Sequence, residues 1–455
     1  MKICILSAKL VQGGAGIIAH DVAKGMAQRG HKVLFICAGE SPSVQHQDGY
    51  EIRVLKNDNP NPAFHYFNPA LLLKLKRQLA EFKPDVIHVH NINLQTFSLG
   101  ALLFSRKYPM VWTLHDIWPL CMVGWPKAFD CNGMLNRCQT CPIWPGWLTF
   151  INRWIKESFY RFSKIHVVCP SSWMKSLLKA SRLGRCPCTV VYNGIDALMF
   201  YKSDKASMRT RLQIPEDQKI ILFCGGKRVA GLLPAERKGW KYLCDALTMV
   251  ARSRNDVHLL YVGDRLPKAQ LHLDAPVTFA ENVPRAAMRD YINVSDILVL
   301  PTIADHPALT VLEAMACKTS VVASSAGGIP EAIIPDKTGL LCPPRDSAAL
   351  AEKIGYLLSN PEHGAEMAES AYRWFQEMFT FDRMIDQYEA VYRQTISCGT
   401  ARYSKMTTET GLTKNSYSHD TTDPNLQSVH ARNSSDVTPA SFKIARSVPS
   451  GISPG

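Results

Sequence analysis

The strongest constraint in this sequence is a repeating rhythm, in which a short apolar run is followed by a turn and then by a segment of helix length. Residues 2–7 form such a run, Gly13-Gly14-Ala15-Gly16 follow as a loop, and residues 17–29 carry apolar side chains at helical spacing. Gly30 closes that segment and a second run begins at 32–37. This is a βαβ opening. Further runs at 86–90, 110–114, 165–169 and 189–192, separated by helix-length stretches, predict a parallel sheet with helices on both faces. The rhythm restarts at 219–224 and continues through 258–262, 277–280, 297–301 and 320–323, which predicts a second α/β domain. Asn193-Gly194 is a turn signal after a strand and marks the hinge. The expected division is 1–194 for the first domain, 195–378 for the second, 379–397 for a helix packing back on the first, and 398–455 for a disordered tail rich in Ser, Thr, Asn and Gly.

Composition narrows the class. With 46% hydrophobic and 20% charged residues in 455, the chain is globular and excludes collagen, coiled coil and wholesale disorder. Lysine and arginine number 52 against 39 acids, a net charge of +13, which favours anionic partners. No recognition motif accompanies the basic residues, so nucleic acid is not among the expected partners. Residues 1–7 lack a signal-peptide pattern and no run reaches membrane-spanning length. The expectation is a cytoplasmic protein, with any contact with the inner membrane peripheral.

In open parallel sheets, ligands bind at the carboxyl ends of the strands, where helix N-termini present free N–H groups. Four segments occupy such places. Gly13 and Gly14 belong to a loop that either cradles a ligand or makes an ordinary tight turn. His115, in Thr113-Leu114-His115-Asp116-Ile117-Trp118, follows a strand and either faces the cleft or is a satisfied histidine beside a capping aspartate. Arg237-Lys238-Gly239, preceded by Lys227 and Arg228, either neutralises a diphosphate or is a solvated basic loop. Asp305 to Glu313 form a loop entering a helix. There Glu313 either accepts two hydrogen bonds from a ribose diol or is simply an acid stabilised by the helix dipole.

Asp305 and Glu313 stand at the two ends of an acid-x7-acid spacing, continued by Glu-Ala-Met-Ala from Glu313, Val321-Val322-Ala323 and Gly327-Gly328-Ile329-Pro330-Glu331. With Pro170-Ser171-Ser172-Trp173, Tyr192-Asn193-Gly194-Ile195-Asp196, Arg237-Lys238-Gly239 and Val262-Gly263-Asp264, the chain resembles the retaining glycosyltransferases of family 4 over residues 1–395. Gly13-Gly14 with His115-Asp116-Ile117-Trp118 resembles the branch that assembles bacterial exopolysaccharide, capsule or lipopolysaccharide. The resemblance implies a GT-B fold, two Rossmann-like domains facing each other across a cleft, the first holding the acceptor and the second a nucleotide-diphosphate sugar. It implies His115, Asp305 and Lys238 as catalytic residues. Gly13, Gly14, Arg228, Arg237, Lys238, Ala308, Leu309, Thr310 and Glu313 would bind the donor. It implies transfer to a glycan or lipid-linked oligosaccharide with no cofactor required, and leaves a catalytically silent sugar-nucleotide-binding subunit as the alternative. Three departures stand out: Asp305 replaces the family's usual Glu, Pro307 has no N–H to offer, and Leu232-Leu233-Pro234 puts the phosphate-binding arginine out of register.

Two segments lie outside that resemblance. Cys121, Cys131, Cys138 and Cys141 have the number of thiols for a structural zinc, but only one close pair, so a reduced cysteine-rich loop without metal is expected. Residues 151–162 place Ile151, Trp154, Ile155, Phe159 and Phe162 on one helical face and Arg153, Lys156 and Tyr160 on the other. Either the apolar face packs on the core and the cations are solvated, or the basic helix lies on an anionic membrane.

Overall fold

The computed structural model describes residues 1–8, 13–57, 66–92, 97–121, 146–212, 214–226, 234–264, 273, 275–306 and 308–400. Two sheets organise them. The first contains β1 (Lys2–Ser7), β2 (Lys32–Gly39), β3 (Ser43–Gln47), β4 (Tyr50–Lys56), β5 (Val86–Val89), β6 (Met110–Thr113), β7 (His166–Cys169) and β8 (Cys188–Val190). Their order is β3-β4-β2-β1-β5-β6-β7-β8. The second contains β9 (Lys219–Gly226), β10 (Val257–Gly263), β11 (Val277–Ala280), β12 (Ile297–Leu300), β13 (Ser320–Ser324) and β14 (Leu340–Cys342), in the order β11-β10-β9-β12-β13-β14. Each order reverses beside its first strand, between β1 and β5 and between β9 and β12, which opens a crevice at the carboxyl ends of those strands.

The inner strands of both sheets are buried on two faces, so their side chains alternate between separate apolar clusters. Ile3 and Ile5 join one cluster while Cys4 and Leu6 join the other. In the second sheet Ile221 and Phe223 lie on one side and Ile220, Leu222 and Cys224 on the opposite side. The helices α1 (Gly13–Gln28), α2 (Pro69–Phe82), α3 (Gly146–Phe162) and α4 (Ser172–Leu177) belong to the first sheet's half of the chain. Those following it are α5 (Lys205–Leu212), α6 (Pro234–Arg237), α7 (Trp240–Ala251), α8 (Arg285–Val294), α9 (Leu309–Ala316), α10 (Ser347–Ser359), α11 (Pro361–Met378) and α12 (Phe381–Thr400).

Three local expectations are corrected. The glycine loop is instead the first turn of a helix: α1 begins at Gly13, whose φ of +68° a side chain would rarely adopt. The first sheet is not purely parallel, because β3 pairs antiparallel with β4 around an Asp48-Gly49 turn with both φ values positive. The third correction concerns α3. Its buried residues are Thr149, Asn152, Lys156 and Tyr160, and its exposed large apolar ones are Trp147, Phe150, Ile151, Trp154 and Phe162. Lys156 donates to the carbonyls of Trp118 and Cys121 and stands 4.2 Å from the centroid of the Trp118 ring, while Tyr160 donates to Pro119 O at 2.7 Å. These inward bonds leave Ile151, Trp154 and Phe162 of the expected apolar face outside, while Ile155 is half-buried and Phe159 packs against the first sheet's core. Of the four cysteines considered for zinc, Cys121 is a free thiol and the other three lie outside the described residues. Helix α12 continues through Thr400, past the expected boundary at 398, and the rest of the expected tail, residues 401–455, lies outside the described residues.

The chain crosses between the halves twice, side by side. Ile195 N donates to Phe379 O at 2.9 Å and Phe381 N to Ile195 O at 3.0 Å. After the second crossing, α12 lays Met384, Ile385, Tyr388, Val391 and Tyr392 into the cluster that contains Ile3, Ile5, Ile18 and Val22. His88 on β5 is the polar pin of this contact, with Nδ1 2.6 Å from Tyr392 Oη and Nε2 2.8 Å from Thr113 Oγ1. Tyr392→Phe leaves one buried ring nitrogen unpaired. Its expected cost in urea denaturation is about 1–3 kcal/mol, and an unchanged midpoint would contradict the pin.

Candidate functional site

The site assembles where both crevices meet, and its polar atoms are under-bonded. From the first half come the N-terminus of α1 and the ends of β5 and β6. The four leading N–H groups of a helix have no partner within it. A Cβ added at Gly14 would lie 3.8 Å from Leu309 Cδ1, so the start of α1 faces the start of α9. His115 follows β6, and its Nε2 is 2.8 Å from His90 Nδ1 with the rings stacked at 14°. His90 is buried, and its Nε2 has no partner. An orphaned buried N–H costs more than an orphaned lone pair. His90 therefore keeps its proton on Nδ1 and donates it to His115, which then carries its own proton on Nδ1. Burial, and next the neighbouring His306, lower the His115 pKa to about 3, so this ring is a neutral donor at ordinary pH.

From the second half comes a turn bolted in place by backbone. Gly239, at φ +82°, fits because a Cβ there would sit 1.8 Å from Pro301 O. Thr302 Oγ1 and Ile303 N both donate to Arg237 O, at 3.3 and 3.0 Å. Lys238 Nζ thereby reaches Cys224 O at the end of β9, 3.0 Å away. Burial lowers its pKa, which Asp305 and Glu313 counteract from nearby. Arg237 is turned to another task. Its Nη1 bonds Asp305 Oδ2 at 3.0 Å and Ala304 O at 3.2 Å, so it anchors the acidic loop. Asp305 also receives His306 N at 3.0 Å, and its carbonyl receives Gly328 N at 2.8 Å.

Glu313 lies in the second turn of α9, buried, one turn beyond Thr310, whose Oγ1 is buried without a partner. Burial raises the Glu313 pKa to about 7, against the pull of Arg285 and Lys238. Arg285 Nη1 reaches across to Asp21 Oδ1 on α1 at 2.8 Å, while its Nε and Nη2 are buried with no partner. Burial opposes ionisation of Asp21, yet hydrogen bonds from His20 and Arg285 hold its pKa below the usual value. The structure thus gathers Gly13, Gly14, His115, Lys238, Asp305, Ala308, Leu309, Thr310 and Glu313 around one crevice, with Arg237 behind the acidic loop. Arg228 and Pro307 lie outside the described residues.

Sequence reasoning passed over Arg285, His90 and His306. Arg285 carried a signal: it opens α8 directly after Pro284, where a cation opposes the helix dipole, a local conflict that points to another use. His306 is buried with Nδ1 3.3 Å from Ser171 Oγ, and burial lowers its pKa to about 4. Glu331 ties the halves together, accepting Ser172 N and Trp173 N at 2.7 Å each and Tyr192 Oη at 2.9 Å.

Comparison with known proteins then decides the family. The model of Glycosyltransferase Family 4 matches residues 12–197, and that of Glycosyl transferases group 1 matches residues 218–360. This chain is a glycosyltransferase, with a family 4 domain followed by a group 1 domain. It is a nucleotide-sugar-dependent enzyme with the GT-B fold. Among relatives, N-acetyl-alpha-D-glucosaminyl L-malate synthase of Bacillus anthracis is 26% identical over 405 residues, covering 84% of this chain and 93% of that protein. Among solved structures, sucrose-phosphate synthase from Thermosynechococcus elongatus superposes with a TM-score of 0.67 at 21% identity, covering 87% of this chain and 99% of the other. HepE of Anabaena, in complex with UDP-glucose, gives a TM-score of 0.63 at 21% identity and covers 87% of this glycosyltransferase and 100% of the other chain.

One pH dependence follows from Glu313. Its carboxyl has a pKa of about 7 in the fold against an ordinary value of 4.5, so its ionisation opposes folding. The cost is absent below the unfolded value, grows as pH rises between the two, and is complete above the folded value. Stability of the ligand-free enzyme should fall across that window by up to about 3 kcal/mol. Glu313→Gln should flatten the fall in urea titrations at a series of pH values, and an equal slope in both proteins would refute the assignment.

Proposed function

We propose that this glycosyltransferase moves a sugar, with retention of anomeric configuration, from a nucleoside-diphosphate sugar to a hydroxyl of a growing lipid-linked surface glycan, working at the cytoplasmic side of a membrane. The observation that carries the donor reading is a polar set with bonds to spare: two unpaired Arg285 N–H groups and the unpaired Thr310 hydroxyl beside the Glu313 carboxylate, with the Lys238 ammonium held next to them on Cys224 O. That set is complementary to a nucleoside diphosphate. Cations and the free N–H groups of α9 suit the phosphates, and a carboxylate suits a ribose diol. A structural neighbour that holds UDP-glucose supports the same reading.

In this reading the anomeric carbon–phosphate oxygen bond breaks while the acceptor oxygen bonds to the same face of that carbon, and the departing phosphate oxygen takes the acceptor's proton. No protein nucleophile is needed. Asp305 suits a positioning role beside the sugar, since Arg237 and the His306 amide already hold its two oxygens. His115 offers its Nδ1–H to a sugar hydroxyl from the opposite half, and Gly13 and Gly14 line the wall where a side chain would intrude. Lys238 and Arg285 offset charge on the diphosphate as the bond opens, working in a site where water no longer screens them.

Lys238→Ala and Arg285→Ala should each lower kcat for donor hydrolysis or transfer by about 10²–10³, with activity of the unaltered enzyme surviving EDTA. Calorimetry with UDP-glucose in buffers of different ionisation heat should show proton release near pH 7, because ribose hydroxyls favour the Glu313 carboxylate. Full turnover in both variants would overturn the donor site.

A further inference from the structure

Helix α3 carries a surface that the transfer chemistry does not use. Trp147, Phe150, Trp154 and Phe162 are 66, 66, 64 and 54% exposed, and Ile151 is 43% exposed. At 3.6 residues per turn, positions 147, 150, 151 and 154 form one stripe, continued by Ser158 and Arg161. No acidic residue interrupts it. Soluble surfaces rarely leave so many large side chains together in water unless something covers them. The helix cannot turn the stripe inward, because the buried residues Lys156, Tyr160 and Asn152 hold the opposite face through hydrogen bonds.

Along the edge of the stripe lies a recess of about 750 Å³, bounded by Phe150 and Trp154 on one side. Its other walls bring Arg153, Lys179, Arg182 and Arg185 together with a single acid, Glu157. Glu157 is already engaged, accepting Arg182 N at 3.0 Å. Aromatic rings at the apolar–polar boundary, with excess cations one side chain away, are the chemistry that recognises an anionic bilayer: rings enter the headgroup level and cations meet lipid phosphates. A second copy of the chain fits less well, since pairing this face with itself would bring two sets of unneutralised cations together.

We propose that α3, with the cationic recess at its edge, is a membrane-docking surface that seats this enzyme on anionic phospholipid. Of the cations on the helix, Arg153 lies in this recess, while Lys156 is turned inward and takes no part. Docking here deepens the proposed action on a lipid-linked acceptor, and vesicle binding without donor or acceptor lets the two readings fail separately.

The test uses the full chain with phosphatidylcholine vesicles, with and without phosphatidylglycerol. The expected result is cosedimentation with the anionic vesicles, weakened by salt, and a blue shift of tryptophan emission. Trp147→Ser with Trp154→Ser, and separately Lys179→Glu with Arg185→Glu, should each weaken partitioning by about tenfold or more, each removed cation counting about 1 kcal/mol. Binding of UDP-glucose should be unchanged in both pairs. Failure to bind anionic vesicles, or equal binding by the tryptophan pair, overturns the proposal. So does a dimer in light scattering that the tryptophan pair abolishes. Shielding of both tryptophans from acrylamide in the lipid-free monomer also overturns it, since the stripe would then be covered by the chain's own residues.

Discussion

The buried pair between Asp21 and Arg285 is the interaction on which the site depends. It spans the two halves, ties the first long helix to the start of α8, and stands within electrostatic reach of Glu313. Burying opposite charges is favourable only when their remaining donors and acceptors are also satisfied. Here they are not: Arg285 keeps two donors and Asp21 one oxygen without partners. The ligand-free crevice therefore holds an unmet demand for hydrogen bonds. A ligand that meets this demand favours the arrangement in which both halves contribute, by the difference in its affinity for the two arrangements.

That demand is imposed by backbone that has little freedom to relax. Gly239 lies against the Pro301 carbonyl, and a Cβ at Gly327 would lie 2.2 Å from Asp305 O, so the lysine turn and the acidic loop are each held by close main-chain contact. Rigid placement matters more than any single contact for a reaction that proceeds by alignment and charge stabilisation. The histidine pair follows the same logic. An interior ring with one orphaned nitrogen dictates where its neighbour keeps a proton, and this sets His115 as a donor before any sugar arrives.

Much of this was legible in the sequence, for a physical reason. Strands buried on both faces must be continuously apolar, and turns need glycine, so the βα rhythm and its restart can be read directly. The polar residues at strand ends were legible because parallel sheets place ligands there. Arg285 and His90 were less so, because their roles come from contacts across 264 and 25 residues of sequence. The orientation of α3 stayed open in the sequence for a related reason. Periodicity shows that one face differs from the other, but inward bonds from Lys156 and Tyr160 to the segment after β6 decide which face is buried. Strand β3 escaped notice because it is a polar edge strand, though Asp48-Gly49 announced its hairpin.

The double crossing at Ile195 and Phe381 makes the second half of this protein an insertion into the first. The apolar cluster beneath β1 contains Tyr388 and Tyr392, which the ribosome delivers almost four hundred residues after Ile3. Until that helix emerges, the earlier half has a face with nothing to cover it. Completion of the first-made half must therefore wait for synthesis of the second, and a nascent chain halted before α12 would present that uncovered face to chaperones.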